Sequence, residues 1–193
     1  MNYLAHCHLS GKDTSLLMGN FIADMINNRE IEDLPAAWKK GVRLHRHIDS
    51  FTDQHPSVRK ATAIIRDTQG KYAPVVTDVF YDYFLAKNWS SFSNSDLSQF
   101  IQDTYEVLYE NLEDLPPRII PKVVAMIEGN FMHNYTSLAG IHKTMGYLNR
   151  RAKFKSGFVD AIQELIDHKD DLEATFLNFY PDLLKSINDL FFK

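Results

Sequence analysis

The chain has 193 residues, 45% of them hydrophobic and 24% charged, with a formal net charge of −4. That balance suits one globular domain and excludes disordered and collagen-like chains. No apolar run reaches the ~18 residues of a membrane span, and an acidic total does not advertise nucleic-acid binding. A single cysteine, Cys7, precludes an internal disulfide, and MNYLAHCHLS lacks the basic region and apolar core of a signal peptide, so a cytoplasmic location is expected.

Apolar residues recur at helical spacing almost throughout, and no strand-like alternation persists. Residues 14–27 predict a helix with Leu17, Phe21 and Met25 four apart, capped by Asp13 or Thr14. Pro35 starts the next helix, which runs to about Asp53. Pro56 then opens another that ends near Gly70. Residues 74–89 predict an aromatic-rich helix buried on most sides. Asn94 or Ser95 caps a further helix to about Leu112, and Pro116-Pro117 forces a break. Helices follow near 120–133, 135–150 and 157–191, with an interruption expected before Pro181. With no repeat or flexible linker, the fold class is all-α, one multi-helix domain over residues 1–193.

Charge is unevenly spread. KKGVRLHR at 39–46 and RRAKFK at 150–155 are basic islands, while residues 160–182 are acidic. Islands of this kind suit an anionic ligand or partner, although solvated helix faces look the same.

Five of the eight histidines fall in the first 55 residues: His6, His8, His45, His47 and His55. Asp24, Asp49 and Asp53 are interleaved with them, and Asp78 and Asp82 follow. Imidazole and carboxylate together are a ligand set for Mn, Fe or Zn, and the lack of further cysteines argues against a structural zinc finger. His45, Asp49 and Asp53 repeat at i, i+4 and i+8, with Arg46 on the same side, on a face expected to point away from Leu44, Ile48 and Phe51. Asn20 with Asp24, and Asp78 with Asp82, are further i, i+4 polar pairs inside apolar helices. A carboxylate among apolar neighbours is costly unless it is paired or bound to a metal. Three helices each giving a polar pair resemble a bundle metal site; buried ion pairs to Arg43 or Arg46 are the alternative. The i, i+2 spacing of His6 and His8 points them apart, so that one is a ligand and the other structural. His55, before Pro56, suits a helix cap. His133, His142 and His168 read as surface or packing residues and Cys7 as a small core residue. No P-loop, GxGxxG, GxSxG or HExxH is present.

The blocks MNYLAHCHLS, LLMGNFIADM, GVRLHRHIDSFTDQHP and YAPVVTDVFYDYFLAKNW, continued more weakly by NYTSLAGIHKTMGYLNRR, resemble in order the acyl carrier protein phosphodiesterase family. The resemblance implies hydrolysis of the phosphodiester joining 4′-phosphopantetheine to a serine of holo-acyl carrier protein. It also implies a remote, HD-like relationship to the HD phosphohydrolases, and a divalent cation, Mn²⁺ being favoured over Mg²⁺, Fe²⁺ or Zn²⁺. No adjacent His-Asp dipeptide occurs, so ligands are not transferred mechanically from HD enzymes. The motif positions it carries onto this chain are His6, Asn20, Asp24, His45, Arg46, Asp49, Asp53, His55, Asp78 and Asp82.

The resulting expectation sets metal ligands at Asp24, His45, Asp49 and Asp78, proton transfer or water orientation at Asp53 and His6, and substrate binding at Asn20, Arg46, Arg150 and Arg151. The basic islands would meet the acidic carrier protein, with neither nucleic acid nor membrane as partner. The alternatives are a hydrolase of nucleotides or other small phosphodiesters, and a non-enzymatic helical binding protein.

Overall fold

The computed structural model describes residues 1–192, and these form helices with no strand. No helix among them is long and apolar enough to cross a membrane. The chain opens with α1 (Tyr3–His8), whose first turn is held by a side chain distant in sequence: Asp82 accepts the N–H groups of Asn2, Leu4 and Ala5. A carboxylate at a helix N-terminus satisfies orphan donors and meets the positive end of the dipole.

Asp13 caps α2 (Thr14–Ile22) by accepting from the N–H of Ser15 and Leu16. The helix expected to reach Asn27 instead tightens into a 3-10 turn over Ala23–Met25, followed by α3 (Asn28–Asp33) behind an Asn27–Glu30 capping box. Next, α4 (Ala36–Gln54) fills the span between Pro35 and Pro56 and lies directly against α2. Two glycines permit that approach: a Cβ on Gly19 would overlap the Trp38 carbonyl, and one on Gly41 the Leu16 carbonyl.

The helix opened by Pro56 breaks once, giving α5 (Pro56–Ile64) and α6 (Arg66–Gln69), and Gly70 turns the chain at φ 54°. The central element is α7 (Ala73–Lys87), buried at Val76, Val79, Phe80, Tyr81, Phe84 and Leu85. Asp96, rather than Asn94 or Ser95, caps α8 (Leu97–Glu110). The stretch expected as one helix to 133 divides into α9 (Ile120–Glu128) and a 3-10 segment, because Gly129 ends the first and Asn130 takes the left-handed conformation.

After α10 (Leu138–Arg151) come α11 (Ala161–Asp167) and α12 (Lys169–Phe191), bent apart at His168. Pro181 sits inside α12 without ending it. Both Pro181 and Leu177 are exposed, so the carbonyl that loses its donor lies on the water side. Phe176 and Phe179 of α12 pack on Tyr81, with ring centroids 5.5 and 5.4 Å away.

Candidate active site

The polar residues gather where α1, α2 and α4 meet. Asn20 is wholly buried, and His6 and His45 nearly so. The Asn20 amide nitrogen donates to the His6 carbonyl at 2.7 Å and to Ser10 Oγ at 3.0 Å, which fixes its orientation. Its Oδ1 therefore faces His6 Nδ1 at 2.7 Å and His45 Nδ1 at 3.2 Å, while its main-chain carbonyl faces His45 Nδ1 at 2.8 Å. Both partners are acceptors only, so each histidine carries its proton on Nδ1.

Both Nε2 atoms consequently turn toward carboxylates. Asp49 Oδ1 is 3.4 Å from His6 Nε2, and Asp49 Oδ2 is 3.2 Å from His45 Nε2. Asp24 Oδ1 also lies 3.2 Å from His45 Nε2. The two rings stack with centroids 4.2 Å apart, and one ligand atom each of His6, His45 and Asp49 lies within 4.8 Å of the others. Burial opposes a charged His45, yet Asp24 and Asp49 outweigh it and carry the ring up to about 9. His6 moves the other way, pushed down chiefly by burial. Burial would raise Asp49, but the two imidazoles hold it well below the usual carboxylate range; the His45 hydrogen bond lowers Asp24.

This face of α4 is not turned from the core, as the spacing had suggested. Residues four apart advance roughly 40° around a helix, so His45 is buried beside Ile48, Asp49 is half-buried and Asp53 is exposed. The stripe climbs from core to solvent, and the site occupies its middle.

Asp78 stands beside this group rather than within it. Its Oδ1 accepts from the Met1 amine at 2.7 Å. Burial raises its carboxyl against the pull of that amine, and the charges of Asp49 and Asp53 add to the rise. Asp78 and Asp53 share a cavity of about 160 Å³ with Thr62, Arg59 and Arg66. Asp82, one turn on from Asp78, is absorbed by the start of α1.

Among the described residues, the arginines expected at the site make no hydrogen bond or ion pair to His6, Asp24, His45 or Asp49. Arg46 donates to Asn28 Oδ1 at 3.2 Å, Arg150 lies 4.6 Å from the Tyr147 ring centroid, and Arg151 lines a separate groove. The remaining early histidines make structural contacts: His8 with the Tyr180 hydroxyl at 2.7 Å, His47 with Ser186 at 2.9 Å, and His55 as the cap of α5. Arg59 and Arg66 escaped the sequence reading. Their seven-residue spacing, two helical turns apart just after LHRHIDSFTDQHP, was the available signal.

The profile of the acyl carrier protein phosphodiesterase family matches residues 1–183. The chain belongs to this family. Within it, the acyl carrier protein phosphodiesterase of Klebsiella pneumoniae strain 342 is 30% identical over 186 residues, covering 96% of both chains. That of Escherichia coli strain K12 / DH10B is 32% identical over 185 residues, covering 95% of this chain and 96% of the relative. The Enterobacter sp. strain 638 protein is 30% identical over 185 residues, with 95% and 96% covered. No solved structure matches. For this acyl carrier protein phosphodiesterase family member, the paired histidines of α1 and α4, oriented by one asparagine of α2, are the central arrangement of the site.

Proposed function

We propose that the chain hydrolyses holo-acyl carrier protein, releasing 4′-phosphopantetheine and leaving the apo-protein, with a divalent cation at the His6–His45–Asp49 cluster. The observation that carries this reading is the pair of Nε2 atoms, freed by Asn20 and facing Asp49 with all three ligand atoms within 4.8 Å. Ring orientation by an outer hydrogen bond is how metal-binding histidines are normally prepared. A proton shared by His45 with Asp24 and Asp49 marks where positive charge is favoured. Mn²⁺, held by His6, His45 and Asp49 with Asp24 and Asp78 near, would supply Lewis acidity toward water and the phosphodiester.

The protein's own groups do the rest. Asn20 keeps both imidazoles neutral on Nε2 when the cation is bound. Arg59 and Arg66, which line the same cavity as Asp53 and Asp78, would offset charge on the phosphoryl oxygens. Hydrolysis places the hydroxyl of water on phosphorus and its proton on the departing serine oxygen, and the exposed Asp53 carboxylate at the cavity edge would carry that proton.

The test is incubation of the protein with holo-acyl carrier protein and Mn²⁺, followed by intact-mass measurement. Loss of the phosphopantetheine mass is expected, abolished by EDTA and by His45→Ala or Asp49→Ala with helical content retained. Unaltered turnover in both variants would refute the assigned site. Cleavage of bis(p-nitrophenyl) phosphate without any action on the carrier protein would establish the small-diester alternative. Neither metal binding nor hydrolysis would leave a helical binding protein.

A further inference from the structure

An open groove of about 470 Å³ lies beside the cavity of Asp53 and Asp78. The two are separated by the first turn of α7, where Pro74 lines the cavity and Val75 the groove. On the other side, Arg151 of the groove acts electrostatically on Tyr3 and Lys122, both of which also feel Asp24 of the site. The groove therefore lies beside the Asp53–Asp78 cavity, and its Arg151 shares Tyr3 and Lys122 as neighbours with Asp24.

Its chemistry is unlike that of the site. Lys71, Arg151 and Lys153 supply three cations to its walls, and no carboxylate of the described residues lines it. Tyr72 and Val75 contribute an apolar floor, and the Phe154 ring stands 65% exposed at the rim. The Lys71 ammonium rests 2.9 Å from the Phe154 centroid and 5.3 Å from that of Tyr72. An exposed aromatic ring among cations, with an apolar side chain beside it, suits a partner with both acidic and apolar groups. The loop carrying Phe154 is anchored behind the groove, since buried Gln69 donates to the Gly157 carbonyl at 2.9 Å.

We propose that this groove is the docking surface for the acidic protein substrate, Lys71 and Lys153 pairing with its carboxylates and Phe154 seating against an apolar side chain. The proposal deepens the carrier-protein reading and rests on it for the partner's identity. Three cations exceed what one phosphodiester needs, and the net charge of −4 means that the surface as a whole does not attract polyanions. Docking by a cationic rim acts mainly on encounter and is weakened by salt.

The experiment measures the affinity for apo-acyl carrier protein by surface plasmon resonance at several salt concentrations. In parallel, turnover of holo-acyl carrier protein and of bis(p-nitrophenyl) phosphate is followed. The Lys71→Glu/Lys153→Glu double variant should weaken carrier binding roughly tenfold and flatten its salt dependence. It should raise KM for the holo-protein with kcat little changed and leave the small diester untouched. Phe154→Ala, at an exposed ring that carries no folding burden, should weaken carrier binding to a similar extent without changing salt dependence. Unaltered carrier affinity in both variants would overturn the proposal, as would equal loss on both substrates in a folded variant. Groove-dependent binding of a single-stranded RNA, with none of the carrier protein, would also overturn it. Hydrolysis of the holo-protein with groove-independent binding defeats docking alone. Groove-dependent binding without hydrolysis defeats the catalytic reading alone.

Discussion

Replacing Asn20 with alanine isolates the contact that orients the site. The side chain makes four hydrogen bonds: two accepted from His6 and His45 Nδ1, and two donated to the His6 carbonyl and Ser10. The losses are unequal. His45 retains the main-chain carbonyl at 2.8 Å, and the His6 carbonyl retains Ser10 Oγ at 3.0 Å, but His6 Nδ1 loses its partner while buried. An orphaned buried donor costs about 1–3 kcal/mol, and lost net hydrogen bonds add about 1 kcal/mol more, so a destabilisation of about 3 kcal/mol is expected. With its tautomer released, His6 also becomes a poorer ligand, and affinity for Mn²⁺ should fall about 10- to 100-fold. Urea unfolding followed by circular dichroism in EDTA measures the first effect, and isothermal titration with Mn²⁺ the second. Ser10→Ala, which removes a bond to the His6 carbonyl but leaves both Nδ1 contacts in place, should change affinity little. An Asn20→Ala protein that binds Mn²⁺ within twofold of wild type would refute the tautomer argument, whatever its stability.

Burial raises the Asp82 carboxyl from 3.8 to about 7, despite the N–H donors of α1 and the Met1 amine that favour its charge. Because the folded state then holds this proton more tightly, the group's contribution to stability grows as pH falls through 7 and levels off below 3.8. From pH 8 to 5.5, wild type should gain about 2 kcal/mol over Asp82→Asn in EDTA, and parallel stability curves would contradict this. His55→Ala removes the α5 cap and its 3.3 Å contact with Asp182, and should cost about 1 kcal/mol in urea unfolding without altering diester turnover. Gly41→Ala drives a methyl into the Leu16 carbonyl and should cost about 3 kcal/mol while lowering Mn²⁺ affinity; a normal melting curve would mean that α2 and α4 separate freely.

Much of the fold was legible because prolines and side-chain caps act locally. Pro35, Pro56 and Asp13 mark their boundaries to within a residue or two. The breaks at Ile65 and His168 carry no comparable signal, and Pro181 misleads because its missing donor faces water. The His/Asp helices were legible as well, since i, i+4 polar pairs in apolar surroundings are uncommon. What spacing did not reveal was the destination of each member. Asp78 and Asp82 make one pair on α7, yet the first joins Met1 beside the cavity and the second closes the N-terminus of α1. That division depends on where a helix 70 residues distant in sequence packs, and no local pattern encodes it.

The same reasoning explains why Asn20, rather than any acidic residue, ties the site to the fold. It lies in the last turn of α2, where carbonyls lack full intrahelical partners, and is thus free to serve His45 through its backbone as well as His6 through its side chain. Those bonds reach α4 only because Gly19 and Gly41 let the two backbones touch one turn away. A larger residue at either glycine would move the Asn20 carbonyl away from His45 before it disturbed any carboxylate. The core packing of α2 on α4 and the orientation of the imidazoles are therefore one contact, and the two should fail together.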